Sequence, residues 1–129
     1  MRMFLARLKA SEAPQGFVSY SFLGEYIEHP DEGYFILTNT CAILEMAKQI
    51  QDPKTKEVKI SIEAIFQTDT ALTNGSLLLN SNDCIFTRFV NPDDEILNTY
   101  NASIEKFRLD KIRIQKASNI PSNISQLGI

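Results

Sequence analysis

The residues able to do chemistry in this sequence are few, and most sit together. Between Gly24 and Gly33 the chain reads GEYIEHPDEG, which gathers Glu25, Glu28, Asp31 and Glu32 around the only histidine, His29. A carboxylate beside an imidazole orients the ring and favours its charged form, so Glu25, Glu28 and His29 form a candidate acid–base set. The same composition equally describes a solvated acidic loop between two glycines. Paired carboxylates also bring a divalent ion to mind. A calcium loop, however, needs oxygen ligands at alternate positions around a turn glycine, and this run lacks that pattern. The second acidic cluster, Asp93, Asp94 and Glu95, is accounted for by the positive end of a helix that starts there.

Nucleophiles and metal ligands are scarcer still. Cys41 and Cys84 stand among apolar neighbours, as buried thiols do, and no CxxC or HxxxH spacing exists to build a zinc site. There is no GxSxG, no Walker loop, no GxGxxG and no HExxH. The sequence therefore implies no cofactor, no metal and no catalytic residue.

Basic residues cluster late, at Lys106, Arg108, Lys111, Arg113 and Lys116. On a strand, Lys111 and Arg113 share a face that suits phosphates or an acidic protein surface. Single-stranded nucleic acid would need exposed aromatic residues between those charges, and only Phe107 is there, so nucleic acid is not the expected partner. With a net charge of −3, bulk electrostatics do not draw the chain to a polyanion either.

The elements that must carry these residues are mostly strands. Residues 2–9 and 16–23 are apolar-rich and joined through Pro14 and Gly16; 34–38 reads as another strand. KEVKISIEAIF, 56–66, alternates cleanly, with Val58, Ile60, Ile62, Ala64 and Phe66 on one face and Glu57, Lys59, Ser61 and Glu63 on the other. Ile65 breaks the polar face and marks an outside contact. Asn74-Gly75 predicts a hairpin turn, and strands follow to 80 and over 84–90. Residues 40–51 are contested. Good helix formers with apolar residues at 43, 46, 47 and 50 favour a helix ended by Asp52-Pro53, against a long strand running on from Tyr34. Asn91, Pro92 and the acids after them start a helix over 92–107, and Ile112 and Ile114 suggest a last strand near 109–116.

At 129 residues the chain is long enough to bury its own core. The expected architecture is mainly β (α+β): an antiparallel sandwich or barrel of six or seven strands, with a helix at 92–107 and a second in contest at 40–51. Residues 1–116 form that domain, and 117–129 an extended C-terminal arm, because Pro121 disfavours helix there. The arm carries four apolar pegs, Ile120, Ile124, Leu127 and Ile129, spaced by Ser and Asn. Extended backbone with apolar pegs suits addition to a sheet edge.

The arm, Ile65, Lys111 and Arg113 are the candidate partner-binding residues, and the expected partner is another protein or a second copy of this one. A non-enzymatic subunit of a larger assembly, viral or phage particles included, is the first expectation. A β module that binds a small ligand or regulates an enzyme is the alternative, and an acid–base enzyme using Glu25, Glu28 and His29 the second alternative. The N-terminal stretch has neither a signal-peptide core nor a run of membrane-spanning length, which points to the cytoplasm or a particle assembled there, and to no membrane partner.

Overall fold

A computed structural model describes residues 2–126, with side-chain surroundings described as far as Arg113. The protein is mainly antiparallel β. Six strands, β1 (Met3–Leu8), β2 (Ser19–Glu28), β3 (Tyr34–Gln51), β4 (Val58–Gln67), β5 (Ser76–Asn80) and β6 (Cys84–Phe89), form one sheet, and a single long helix follows, α1 (Ile96–Gln126). The order across the sheet is β4-β3-β2-β1-β6, with β5 also on β3. β4 and β6 end that order, so the sheet is open and does not close into a barrel.

Strand β3 organises everything. Its first half is continuous with the strand expected at 34–38, and the segment 40–51 continues it, correcting the expected helix. Cys41, Ala42, Ile43 and Leu44 are all buried, and they alternate between the two faces of the sheet. A helix would bury one stripe only; pairing to β2 on one side and β4 on the other buries both, and this overrides the helix propensity. Asp52-Pro53, expected as a helix stop, turns the β3–β4 hairpin instead. The Asp52 carboxylate accepts hydrogen bonds from the backbone N–H of Lys54 (2.8 Å) and Thr55 (3.4 Å), and those bonds hold its pKa below the usual value.

The expected Asn74-Gly75 hairpin is also corrected. β4 pairs with residues 42–51 of β3 and β5 with residues 34–38, so both lie along the same edge of β3. Between them the chain loops out through a π-helical turn, Thr70–Asn74, capped by Asp69, whose side chain accepts from Leu72 N–H at 2.7 Å. Buried Thr73 fastens the loop by donating its hydroxyl to the Thr40 carbonyl at 2.9 Å. Gly75 has φ −92°, not the left-handed geometry of a type I′ turn.

Both faces of the central part of the sheet are covered. On one, Phe4, Ala6, Leu8, Phe22, Phe35, Leu37, Ala42 and Leu44 form a core on which Phe17 and Leu72 pack from the connections. On the other, Leu5, Leu23, Cys41 and Ile43 meet Val90 and the helix residues Tyr100 and Ile104. The helix begins at Ile96, later than the expected 92, because Asn91–Asp94 close a turn of their own and the Asp94 carboxylate takes the Ile96 N–H at 3.1 Å. It also runs on through 109–116, where a strand was expected. Nine of the thirteen residues 105–117 are strong helix formers and none is Gly or Pro, so the helix propagates. The backbone stays helical to Gln126, where an extended arm was expected; Leu127 and Ile129 lie outside the described residues.

Candidate functional site

The acidic run does not form one site. Gly24 to Glu28 belong to β2, so only residues 29–33 make the loop. Glu25 is directed at the sheet, where its carboxylate accepts from Asn39 Nδ2 at 2.7 Å and Thr38 Oγ1 at 3.4 Å. His29 sits in the turn beyond, with Nδ1 accepting from the Asp31 N–H at 3.0 Å and the ring beside Tyr34. The same Nδ1 lies 4.0 Å from the Asp31 carboxylate, so both of its approaches are to Asp31 and neither is to Glu25. The candidate base and its candidate orienting acid thus hold different partners.

Glu25 does belong to a second feature, which the sequence did not announce. Opposite Gly24 the β2–β3 register slips between Leu23 and Glu25, and the extra β3 residue Asn39 takes φ 48°, forming a bulge. Helix α1 crosses there. Tyr100 donates its hydroxyl to the Asn39 carbonyl, and a cleft of about 550 Å³ opens between Glu25, Asn39, Tyr100, Asn101, Glu105 and Arg108. Burial, then the Glu25 charge, push the Tyr100 phenol up to about 12, so it remains a proton donor at neutral pH. The bonds made by Glu25 and Tyr100 both end on Asn39. They lock the bulge between sheet and helix, and the cleft presents no activated nucleophile: Cys41, the nearest thiol, is buried and pushed up to about 11 by that burial.

The third feature is a projecting ribbon. β2 stops pairing with β3 at Glu45, so residues 46–51 of β3 have only β4 beside them. Along this two-stranded stretch Val58, Ile60 and Ile62 are 58%, 69% and 54% exposed, although the alternation alone would place them in a core. They share a face with Ala64, opposite Gln51, Gln49 and Ala47, while Lys59, Ser61 and Glu63 occupy the other face. The outer edge of β4 has no neighbour among the described residues. On the polar face, Lys48 and Glu63 form an ion pair.

Of the residues expected to bind a partner, Ile65 lies on β4, exposed, beside buried Leu44. Lys111 and Arg113 are exposed, but on α1; two positions along a helix are roughly 200° apart, so they do not share the face a strand would give them. Arg113 instead approaches Asp110 at 3.8 Å. Ile120 and Ile124 have helical backbone, with side chains outside the description. Sequence reasoning found the alternation of β4 but missed its exposure. The signal was there: the residues across from Ile60 and Val58 on the same face are Gln49 and Gln51, which do not extend an apolar surface.

No group of three or more His, Cys, Asp and Glu side chains among the described residues is placed to hold a metal ion, and no helix there is long and apolar enough to cross a membrane. The fold and its surfaces define a mainly antiparallel β protein with one long helix and an uncovered sheet edge. Comparison with protein-family models, curated proteins and solved structures finds no match for the chain.

Proposed function

We propose that this chain is a non-enzymatic interaction protein, a subunit that works by docking on other protein surfaces through the β3–β4 ribbon. One observation supports the reading. Val58, Ile60 and Ile62 are each more than half exposed on a two-stranded ribbon whose outer edge carries unpaired backbone groups. An isolated hairpin is marginally stable in water, and an unprotected apolar edge is a template for another chain. Proteins blunt such edges with proline, bulges or clustered lysine; β4 has no proline, pairs with β3 without a register break, and carries one lysine. The two free thiols, Cys41 and Cys84, fit a reducing compartment.

The experiment is light scattering over a range of concentrations on the full chain and on an Ile60→Thr, Ile62→Thr variant. Threonine keeps strand propensity while removing apolar area, so the variant folds. Association that weakens in the variant is the expected result. A wild-type chain that stays monomeric and shows the same thermal stability as the variant overturns the reading.

A further inference from the structure

We propose that the ribbon's partner is a second copy of this chain, bound β4 to β4, antiparallel, about a two-fold axis at Ser61. The inference rests on the interaction reading above and names its partner.

The argument is one of register. In an antiparallel pair, residues directly opposite each other share a face, so a two-fold axis normal to the sheet must pass by a residue, which then faces itself. Each choice of that residue fixes every other pair. An axis at Lys59 or Glu63 sets a charge against its own copy. Within β4, an axis at Ile60 sets Lys59 against Ser61 and gives Glu63 no partner in the strand. An axis at Ile62 sets Lys59 against Ile65 and leaves Glu63 facing Ser61. Only the axis at Ser61 brings opposite charges of β4 itself across from each other, Lys59 facing the partner's Glu63, and by symmetry does so twice; an axis at Val58 would set Lys59 against Glu57, which precedes the strand. Opposite charges directly across a strand pair stabilise it, and like charges destabilise it.

The other face agrees. In the same register Ile60 meets the partner's Ile62, and Val58 the partner's Ala64, so the exposed apolar stripe becomes continuous across the axis. Lys48 already pairs with Glu63 within the chain. The second lysine therefore completes a three-residue network rather than competing for an empty site. The remaining free edge of the ribbon, residues 46–51 of β3, bears a single charge, Lys48, so a self-pairing there contains no opposite-charge pair. The geometry thus selects β4.

The experiment is sedimentation equilibrium on the wild type, Lys59→Glu, Glu63→Lys and the double exchange Lys59→Glu, Glu63→Lys. The wild type forms a dimer. Lys59→Glu, which leaves Lys48–Glu63 intact, sets carboxylates opposite each other twice and weakens the dimer by at least tenfold, less at high salt. The double exchange recovers most of the loss. A Ser61→Cys variant in a Cys84→Ser background cross-links to a dimer with a short bis-thiol reagent, Cys41 being buried. Association that is lost on Ile60→Thr, Ile62→Thr but indifferent to Lys59→Glu overturns this register and leaves the interaction reading standing. A double exchange that fails to recover the loss, or absence of the Ser61→Cys cross-link, overturns the register too. A wild type monomeric at every concentration overturns it together with the self-associating form of that reading.

Discussion

Removing one oxygen from Tyr100 probes how α1 is fastened to the sheet. The Tyr100 hydroxyl donates to the Asn39 carbonyl at the bulge, in a side chain that is 5% exposed. In Tyr100→Phe the ring still fills its place beside Leu5, Leu23 and Ile43, so the packing survives and the carbonyl loses its donor. The acceptor is part-buried beside an open cleft, so the expected loss of stability at pH 8 is the net worth of one hydrogen bond, about 0.5–1.5 kcal/mol.

The same residue predicts a pH dependence that a packing effect would not produce. Burial and the nearby Glu25 charge raise the folded-state pKa from 10.0 to about 12. The folded protein holds this proton more tightly than the unfolded chain, so the contribution is complete below pH 10 and is lost as pH rises through about 12. Two pKa units correspond to about 3 kcal/mol in all, and about 0.8 kcal/mol is already gone by pH 10.5. Burial also raises Cys41, to about 11, and this contribution is lost with the same sign, but it is common to both proteins and cancels in their difference. Urea denaturation followed by far-ultraviolet circular dichroism at pH 8 and pH 10.5, on wild type and Tyr100→Phe, measures that difference. The stability gap should narrow by about 0.8 kcal/mol at the higher pH. A gap that stays constant or widens refutes the claim that Tyr100 holds its proton against the Asn39 carbonyl.

Two further substitutions test the same bulge. A Cβ at Gly24 would lie 2.8 Å from Thr40 Oγ1 and 2.9 Å from the Thr38 carbonyl, and Thr38 is held between β2 and β5. Gly24→Ala should therefore cost about 1–3 kcal/mol by overpacking, minus about 0.4–1 kcal/mol of unfolded-state entropy, and a urea midpoint at or above wild type would contradict this. Thr40 Oγ1 is buried without a hydrogen-bond partner, whereas the Thr40 carbonyl is bonded to Thr73. Thr40→Val keeps shape and carbonyl while removing the unpaired hydroxyl, so a gain of about 1 kcal/mol is expected in the same assay; a loss would mean that the hydroxyl is satisfied.

Where an apolar run was bounded by turn residues, strands were legible. β1, β4 and β6 stand within two residues of the segments expected at 2–9, 56–66 and 84–90. It failed where one local pattern supported two structures. Ile43, Met46, Ala47 and Ile50 satisfy a helical stripe, yet Ile43 is buried beside the helix while Ile50 is exposed on the ribbon. Ile112 and Ile114 alternate like a strand, yet they continue a helix, because nothing between Ile96 and Ile112 stops one. Asn74-Gly75 had the turn chemistry of a hairpin, but β3 is long enough to receive β4 and β5 along one edge, so no reversal was needed there. The bulge at Asn39 had no local signature at all. It depends on Gly24 across the register and on Tyr100 from the helix, contacts that no window of sequence contains.

The length of β3 decides both what is stable here and what is sticky. Up to Glu45 the strand has β2 on one side and β5 or β4 along the other, interrupted at the Asn39 bulge, and the buried residues Cys41 to Leu44 lie in that part. Beyond it the strand extends past β2, and the hairpin closed by Asp52 carries its apolar alternation out of the domain. A shorter β3 would have kept the core and removed the ribbon, so nothing in the core requires those residues. Exposed Val58, Ile60 and Ile62 gain nothing from water, and an edge strand that keeps them exposes the protein to unwanted pairing. Such a segment makes physical sense when a matching surface covers it, and in the proposed pairing the spacing of Lys59 and Glu63 about Ser61 is what would supply that match.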